Sequence, residues 1–489
     1  MKAIILADSR TLKLTPFSLV KPVALLKING KTILENMINI LKKENVDDIT
    51  VVTGYKHELF DEYKTKLGFK NVVHKDYYTK NTSASLKLVI DEIEKGTIIL
   101  NGDMFLEDNF FKYIRPDISQ FLSQKIIDNA VSFGYISDRN SKLVDIDANA
   151  TNGYGDGIAI LDNEEDIEVL KTELMNIPDY DAWEYCILNS IDKINFYVFD
   201  HDNLYTRINS FGDALYHDNL LTPKELAEQC SDNDRAEKLG GITNINYKIK
   251  FLGQDKVIRI PGKGTEYILD RNAEKKILNI IYDKDIVPKS EFYDSDLKLT
   301  DFLKGYRNLE FHDIKNDFDV VLPLIIEQMK KLHSLKHEDF ESFKTISIVE
   351  QINNYERLAK IQLVTRLEHK FILDLARKID NSQKVLCHMD LQLPNIMYNG
   401  KDIKFVDFEY AGFSSIIWEL GNFTAELELN QKQIEKVINL YGDITYREIM
   451  IGQLISNYVW ALWGWICDHI SLGRNYLTRF HANMNIFDD

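Results

Sequence analysis

The sequence has little that would suit an oxidising compartment. Only four of its 489 residues are cysteine. Cys186, Cys230, Cys387 and Cys467 form no C-x-x-C pair, so the thiols read as buried or free in a reducing cytoplasm. No apolar run is long enough for a bilayer span. The most apolar late stretch, YVWALWGWICDHI, is broken by Asp468 and His469. The start, MKAIILADSR, has too short an apolar run for a signal peptide, and charge follows at once. Positive charge is in deficit: 59 Lys and Arg stand against 76 Asp and Glu, a net charge of −17. Such a surface repels nucleic acid and anionic membranes, and neither is expected as a partner. Repeats and low-complexity tracts are absent. One further absence is local: a polar loop follows the apolar run Ala3–Leu6, yet no glycine occurs between Ala7 and Asn29. Loops that close backbone N–H groups on phosphate ordinarily rely on glycine.

What is present is a composition of 45% hydrophobic and 28% charged residues, ordinary for a globular protein, in a chain long enough for two or three domains. The first half alternates strand-like and helix-like runs. Strands are expected at Ala3–Leu6, Ile49–Thr53, Asn71–His74, Thr97–Leu100, Ala130–Tyr135 and Ile194–Phe199. Helices are expected over Lys31–Glu44, Ser83–Glu94 and Glu164–Met175. This alternation predicts an α/β domain with a mainly parallel, Rossmann-like sheet. Around residues 222–238 the character turns polar, which divides the chain into 1–225 and 226–489. A strand–turn–strand pattern, INYKIKFLGQDKVIRIPG, comes next. Helical patterns then dominate, broken by VLCHMDLQLPNIMYNGKDIKFVDFEY.

That break carries the strongest chemistry. His388, Met389 and Asp390 are followed by Asn395, then by Asp407 and Glu409 after a short hairpin. Phosphoryl transfer from ATP needs a carboxylate to take the substrate hydroxyl proton, and an amide and a second carboxylate to hold Mg²⁺ against the phosphates. H-x-D-x-x-x-x-N followed by D-x-E supplies them in kinase order. Upstream, Gly240–Gly241–Ile242–Thr243–Asn244 could cover phosphates. Arg259 lies where a kinase places a phosphate-gripping cation, and Glu274 on the next helix is its expected partner. Trp460 and Trp463, three apart, share one helix face, and aromatic faces suit a quaternary ammonium that cannot donate an N–H bond. Trp465 lies off that face and reads as packing.

GGITNINYKI, VIRIPGKGTE, HMDLQLPN, DFEYAG and YVWALWGW closely resemble the choline/ethanolamine kinases over roughly residues 235–485. The resemblance implies a protein-kinase-like, two-lobed α+β domain using ATP and Mg²⁺ on choline. It implies Asp390 as base, with Asn395, Asp407 and Glu409 at the metal. Gly241, Thr243, Asn244, Arg259 and Glu274 would serve the nucleotide, and Glu426, Trp460 and Trp463 the choline. Glu419 in WELGNF stands where relatives usually carry Asp. Ethanolamine or another small alcohol stays open as the substrate, as does a binding protein without activity.

The opening stretch resembles the sugar-phosphate and phosphocholine nucleotidyltransferases over roughly residues 1–220, through GKTILENMINIL, VVTGY, NTSASLKLV, ILNGDMFLE and YTRINSFGD. Against that pattern the chemistry is worn. The loop glycines fall on Ser9 and Thr11, the loop arginine on Lys13, and the substrate lysine on Val23, with Lys21 two positions early. Asp103 matches the first Mg²⁺ carboxylate, and the second falls on Asn209. Trp183 and Glu184 lie near the expected substrate side. The expectation is a fold retained with efficient catalysis lost; the alternative is a bifunctional enzyme that also uses CTP.

Overall fold

The computed structural model describes residues 1–9, 14–126, 132–207, 221–241, 244–261, 268–293, 297–335 and 345–487. Lys13, Asn209 and Thr243 lie outside them. The chain divides into two compact units, residues 1–236 with 249–254, and residues 237–248 with 255–489. The division drawn from sequence, at 225/226, falls within the helix Pro223–Gln229.

In the first unit, β1 (Lys2–Ala7) enters the loop, and α1 (Ile33–Lys43) follows it. α1 starts where Thr32 and Glu35 cap each other's backbone N–H groups, and its apolar face packs inward. Next come β2 (Asp48–Thr53), β3 (Lys70–Val73), α2 (Thr82–Lys87), β4 (Thr97–Asn101) and β5 (Met104–Leu106). After these lie β6 (Ser119–Lys125), β7 (Ser132–Ser137), β8 (Leu143–Ala150), β9 (Tyr154–Leu161), α3 (Glu164–Asn176), β10 (Phe196–Asp200) and β11 (Tyr205–Arg207).

Among the described residues the main sheet has nine strands, with β8-β7-β9-β4-β1-β2-β3 as its path and β6 and β10 off it. β3, β2, β1 and β4 pair in parallel, and β9 turns antiparallel against β4. The sheet is therefore parallel at its centre and mixed at one side. The inner strands read as continuous apolar runs because both faces are covered, as in Ala3–Leu6 and Ile98–Leu100. The parallel centre points the carboxyl ends of β1 and β4 at one edge, where the loop after Ala7 and the turn at Asp103 meet. Gly102 makes that approach possible: a Cβ there would lie 2.8 Å from the Ala7 Cα.

β12 (Asn244–Phe251) and β13 (Gln254–Pro261) follow, with residues 249–254, their adjoining ends and the turn between, counted in the first unit. α4 (Arg271–Ile281), β14 (Ser290–Tyr293) and β15 (Leu297–Asp301) lie in the second, β15 antiparallel to both β13 and β14. A helical part follows, from α5 (Phe318–His333) onward. Set into it are two small antiparallel pairs: β16 (Lys384–Cys387) with β19 (Gly412–Ser415), and β17 (Ile396–Tyr398) with β18 (Ile403–Phe405). α6 (Ile416–Glu426), α7 (Tyr446–Ile466) and α8 (Ile470–Met484) complete it. α7 is apolar nearly all round, which is the pattern of a central helix. α6 crosses it closely at Gly421, where a Cβ would lie 2.4 Å from the Gly452 backbone. No helix among the described residues is long and apolar enough to cross a membrane.

Candidate active site

β16 ends at Cys387 and delivers His388, Met389 and Asp390 into a tight turn in which Met389 takes a left-handed φ of 71°. A non-glycine residue holds such a conformation only where its surroundings fix it. The fixing group is Glu419, fully buried in the first turn of α6. Its Oε1 accepts the His388 N–H at 2.9 Å and its Oε2 the Met389 N–H at 2.9 Å. Trp418 Nε1 donates to the Met389 carbonyl. Burial opposes the charge on Glu419, but His333 and His388 beside it and the Met389 N–H bond hold its carboxyl below the usual range. The longer side chain at this position thus reaches two backbone donors at once. His388 is buried and donates Nε2–H to the Val406 carbonyl at 2.8 Å, which leaves Nδ1 as acceptor for the Asp390 N–H. His388 therefore joins the two polar segments as a strut.

Asp390 Oδ2 accepts from Gln392 Nε2 and from Asn395 Nδ2, each at 3.1 Å. Its carboxyl is pushed well above the ordinary range, first by burial and then by the charge of Glu426, with Asp407 and Glu409 adding. Because Asn395 spends its amide nitrogen on Asp390, its oxygen is the end able to ligate a cation. Asp407 follows β18 with a left-handed φ of 67°. Burial and the neighbouring Glu409 raise its carboxyl to about 7.

Across from these groups lies the small sheet. Arg259, on β13, is 2% exposed and donates Nη1 to both oxygens of Glu274, at 2.6 and 2.8 Å. Lys298, on β15 directly opposite Arg259, donates to Glu274 Oε1 at 2.7 Å. Burial works against the charge on Glu274, but Lys298 and Arg259 together hold its carboxyl at about 2. Glu409 Oε2 accepts from Arg271 Nη1 at 2.8 Å and from Asn244 Nδ2 at 2.7 Å. Both Glu409, expected at the metal, and Asn244, expected at the nucleotide, are thus held in one network with Arg271. At Gly241 a Cβ would come 2.5 Å from the Asn244 carbonyl oxygen, so the turn requires glycine.

An aromatic group lies in the same unit. Trp460 and Trp463 meet edge to face at 6.1 Å between centroids, and Tyr410 stands edge to face with Trp460 at 5.3 Å. Two polar contacts fix these rings: Trp463 Nε1 donates to Tyr410 Oη at 2.9 Å and Trp460 Nε1 to Asn422 Oδ1 at 2.7 Å; separately, Tyr476 Oη donates to Glu426 Oε2 at 3.2 Å. Burial raises the Glu426 carboxyl to about 7. The tryptophans also belong to the core between α6, α7 and the helices packed on them.

In the first unit the expected metal carboxylate is already engaged. Arg207, on β11, donates Nε and Nη2 to Asp103 Oδ2 at 3.1 and 2.6 Å. Lys21 is ion-paired with Asp234, and Lys27 lies 3.3 Å from the same carboxylate. At the start of the loop, buried Asp8 accepts from Ser85 Oγ at 2.6 Å, and its Oδ2 lies 2.6 Å from His74 Nδ1. Trp183 is a core residue packed beside Phe121, and Glu184 is buried with it. Among the described residues, Asp103 Oδ2 is taken by a guanidinium and no three His, Cys, Asp or Glu side chains gather to hold a cation.

The second unit brings a carboxylate, an amide and a second carboxylate together in the order that phosphoryl transfer uses, and the comparison with known families points the same way. Residues 237–449 match the family model of the choline/ethanolamine kinases. Residues 2–145 match the nucleotidyl transferase model. Choline-phosphate cytidylyltransferase of Streptococcus pneumoniae is 37% identical over 112 residues, which span 23% of this chain and 48% of that protein. Ethanolamine kinase 1 of Mus musculus is 24% identical over 256 residues, 43% of this chain and 69% of that protein. The chain thus spans about half the length of the first relative and two thirds of the second. The crystal structure of choline kinase LicA from Streptococcus pneumoniae is 21% identical, with a TM-score of 0.45, covering 51% of this chain and 93% of that one.

In the kinase-like unit, the Asp407 carboxylate and the Asn395 oxygen are hard donors that fit Mg²⁺. Among the described residues no three His, Cys, Asp or Glu side chains enclose a metal. An ion here would complete its shell with phosphate and water, as Mg²⁺ commonly does. Sequence reading missed Lys298, Tyr410 and Tyr476 in this unit, and Arg207 and the Asp8–His74–Ser85 cluster in the other. The one available signal was Lys298 itself, a lysine inside the apolar strand LKLTD.

Proposed function

We propose that the kinase-like unit transfers the γ-phosphoryl group of ATP to the hydroxyl of choline. The observation that carries this reading is the edge-to-face set of Tyr410, Trp460 and Trp463, tied down by hydrogen bonds, together with two buried carboxylates, Asp390 and Glu426, of which Glu426 raises the carboxyl of Asp390. A small alcohol with a cationic end matches that pair: the ammonium faces Glu426 and the rings, and the hydroxyl faces Asp390. Each ring face contributes roughly 0.5–2 kcal/mol toward a quaternary ammonium. Asp390, oriented by Gln392 and Asn395, accepts the hydroxyl proton at Oδ2 or Oδ1 as the oxygen attacks. Arg259 carries positive charge for the α and β phosphates. Asp407 and Asn395 would hold Mg²⁺, which would supply the remaining charge neutralisation when bound. Glu419 and His388 keep the turn in place.

For the first unit we read a retained fold without efficient nucleotidyl transfer. Support comes from Arg207 on Asp103 and from Asp234 on Lys21, which take up the charges that such chemistry would use. One reaction tests both readings. Purified chain is given ATP, Mg²⁺ and choline, then CTP, with ADP and pyrophosphate followed separately. ADP without CTP-dependent pyrophosphate is expected. Pyrophosphate release would make the chain bifunctional, and ADP with ethanolamine but not choline would reassign the alcohol.

A further inference from the structure

Arg259 holds Glu274 in an unusual way. A guanidinium normally meets a carboxylate as a fork, with two nitrogens on two oxygens. Here a single nitrogen, Nη1, serves both oxygens. Nε and Nη2, both buried, have no hydrogen-bond partner among the described residues. An unmet buried donor is costly, and two on one charged side chain more so. The reason for the arrangement sits across the strand pair. Lys298, itself 6% exposed, already occupies Glu274 Oε1 at 2.7 Å. Lys298 and Arg259 both bond Glu274, and Arg271 Nη1 lies 3.7 Å from its Oε2, so cations crowd one buried carboxylate. Asp407, 4.0 Å from Arg259 Nη1, and Glu409 add negative charge near Arg259. With a cation on Asp407, the positive charge of Arg259 would face whatever enters.

We propose that Lys298 is a positioning residue of the nucleotide site: by holding Glu274 Oε1 it keeps Arg259 off the fork geometry and leaves the Nε–Nη2 edge open for two oxygens of a nucleotide phosphate. The inference rests on the kinase reading of this unit. It adds a second cation to that site and states which edge of Arg259 meets the ligand. Without Lys298, Arg259 turns its fork onto Glu274, satisfies itself within the protein and loses its grip on phosphate.

The test is titration of the full chain with MgATP and with adenosine, no alcohol present, for wild type, Lys298→Met, Lys298→Arg and Arg259→Met. Lys298→Met should weaken MgATP about tenfold or more, the effect of losing one charge-assisted contact, and leave adenosine unchanged. Lys298→Arg, which keeps a cation on Oε1, should restore MgATP to within about threefold of wild type. In the Arg259→Met background, Lys298→Met should cost less than about threefold further, because both act through one edge. In turnover, the KM for ATP should rise more than kcat falls. MgATP binding unchanged in Lys298→Met, or losses that multiply independently with Arg259→Met, would overturn the proposal and reduce Lys298 to charge balance. Should Lys298→Met fail to fold, Lys298→Gln is read by the same criteria. Wild type that binds MgATP but does not phosphorylate choline would remove the alcohol assignment and leave this inference standing. Wild type that does not bind MgATP would remove both.

Discussion

Replacing Glu426 by Gln separates binding from folding in one variant. The side chain keeps its shape and an acceptor for Tyr476 Oη, which now donates to Glu426 Oε2 at 3.2 Å. What it loses is the charge. A carboxylate about 5 Å from an ammonium at an effective dielectric of about 20 gives roughly 3 kcal/mol of attraction. Partial desolvation of the ligand reduces this, so an increase of about 10- to 100-fold in the KM for choline is expected. The wild-type carboxyl is raised by burial to about 7 from 4.5, so the folded chain binds a proton that the unfolded chain has released. Stability therefore falls as pH rises from 4.5 to 7, and the deficit persists above 7. Glu426→Gln removes a deficit of about 3 kcal/mol at pH 8 and should raise the melting temperature of the kinase-like unit by several degrees. The wild-type KM for choline should climb as pH drops below 7, and that dependence should vanish in the variant. Steady-state kinetics from pH 6 to 9 with a thermal melt reads all of this. An unchanged choline KM, or a lower melting temperature at pH 8, would refute the reasoning.

The other predictions address the turn and the first unit. Asp390→Asn should lower kcat by about a hundredfold to ten-thousandfold while MgATP binding persists, since it removes the base and little else. Glu419→Ala strands the N–H groups of His388 and Met389 in a buried site at about 1–3 kcal/mol each, so a lower melting temperature should accompany loss of turnover. Glu419→Gln, which offers one acceptor in place of two, should fall between wild type and Ala on both readouts. Mn²⁺ counted by electron paramagnetic resonance in the presence of CTP alone should show no ion in the nucleotidyltransferase-like unit of the wild type. Arg207→Ala, which releases Asp103, should strengthen Mn²⁺ binding there.

Periodicity and spacing reached much of this structure. The apolar runs at Ala3–Leu6 and Thr97–Leu100 are legible because strands covered on both faces leave no room for polar residues. β8 was missed because it lies at the sheet edge and alternates weakly, with Asp145 and Asp147 facing solvent. The long helix expected over Ser83–Glu94 is instead a short helix to Lys87 and a separate turn at Ile90–Glu92. On the chemical side, His388, Asp390 and Asn395 fall within one short segment, so their spacing is visible. The pair Asp103–Arg207 is separated by 104 residues, and Arg259 and Lys298 meet only because two strands pair. Contacts of that kind leave no mark in a single sequence, and they are the ones that add to the reading of the first unit and of the nucleotide site. Trp183, expected near the substrate side, lies in the core beside Phe121.

The central claim is that a chain with two nucleotide-handling folds works chiefly through one. The most direct measurement is ADP release by the purified chain with ATP, Mg²⁺ and choline, followed by addition of CTP with pyrophosphate monitored in the same reaction. The account predicts choline-dependent ADP, abolished in Asp390→Asn, and no pyrophosphate when CTP is added. Absence of choline-dependent ADP, or CTP-dependent pyrophosphate that persists in Asp390→Asn when phosphocholine is supplied, would contradict it.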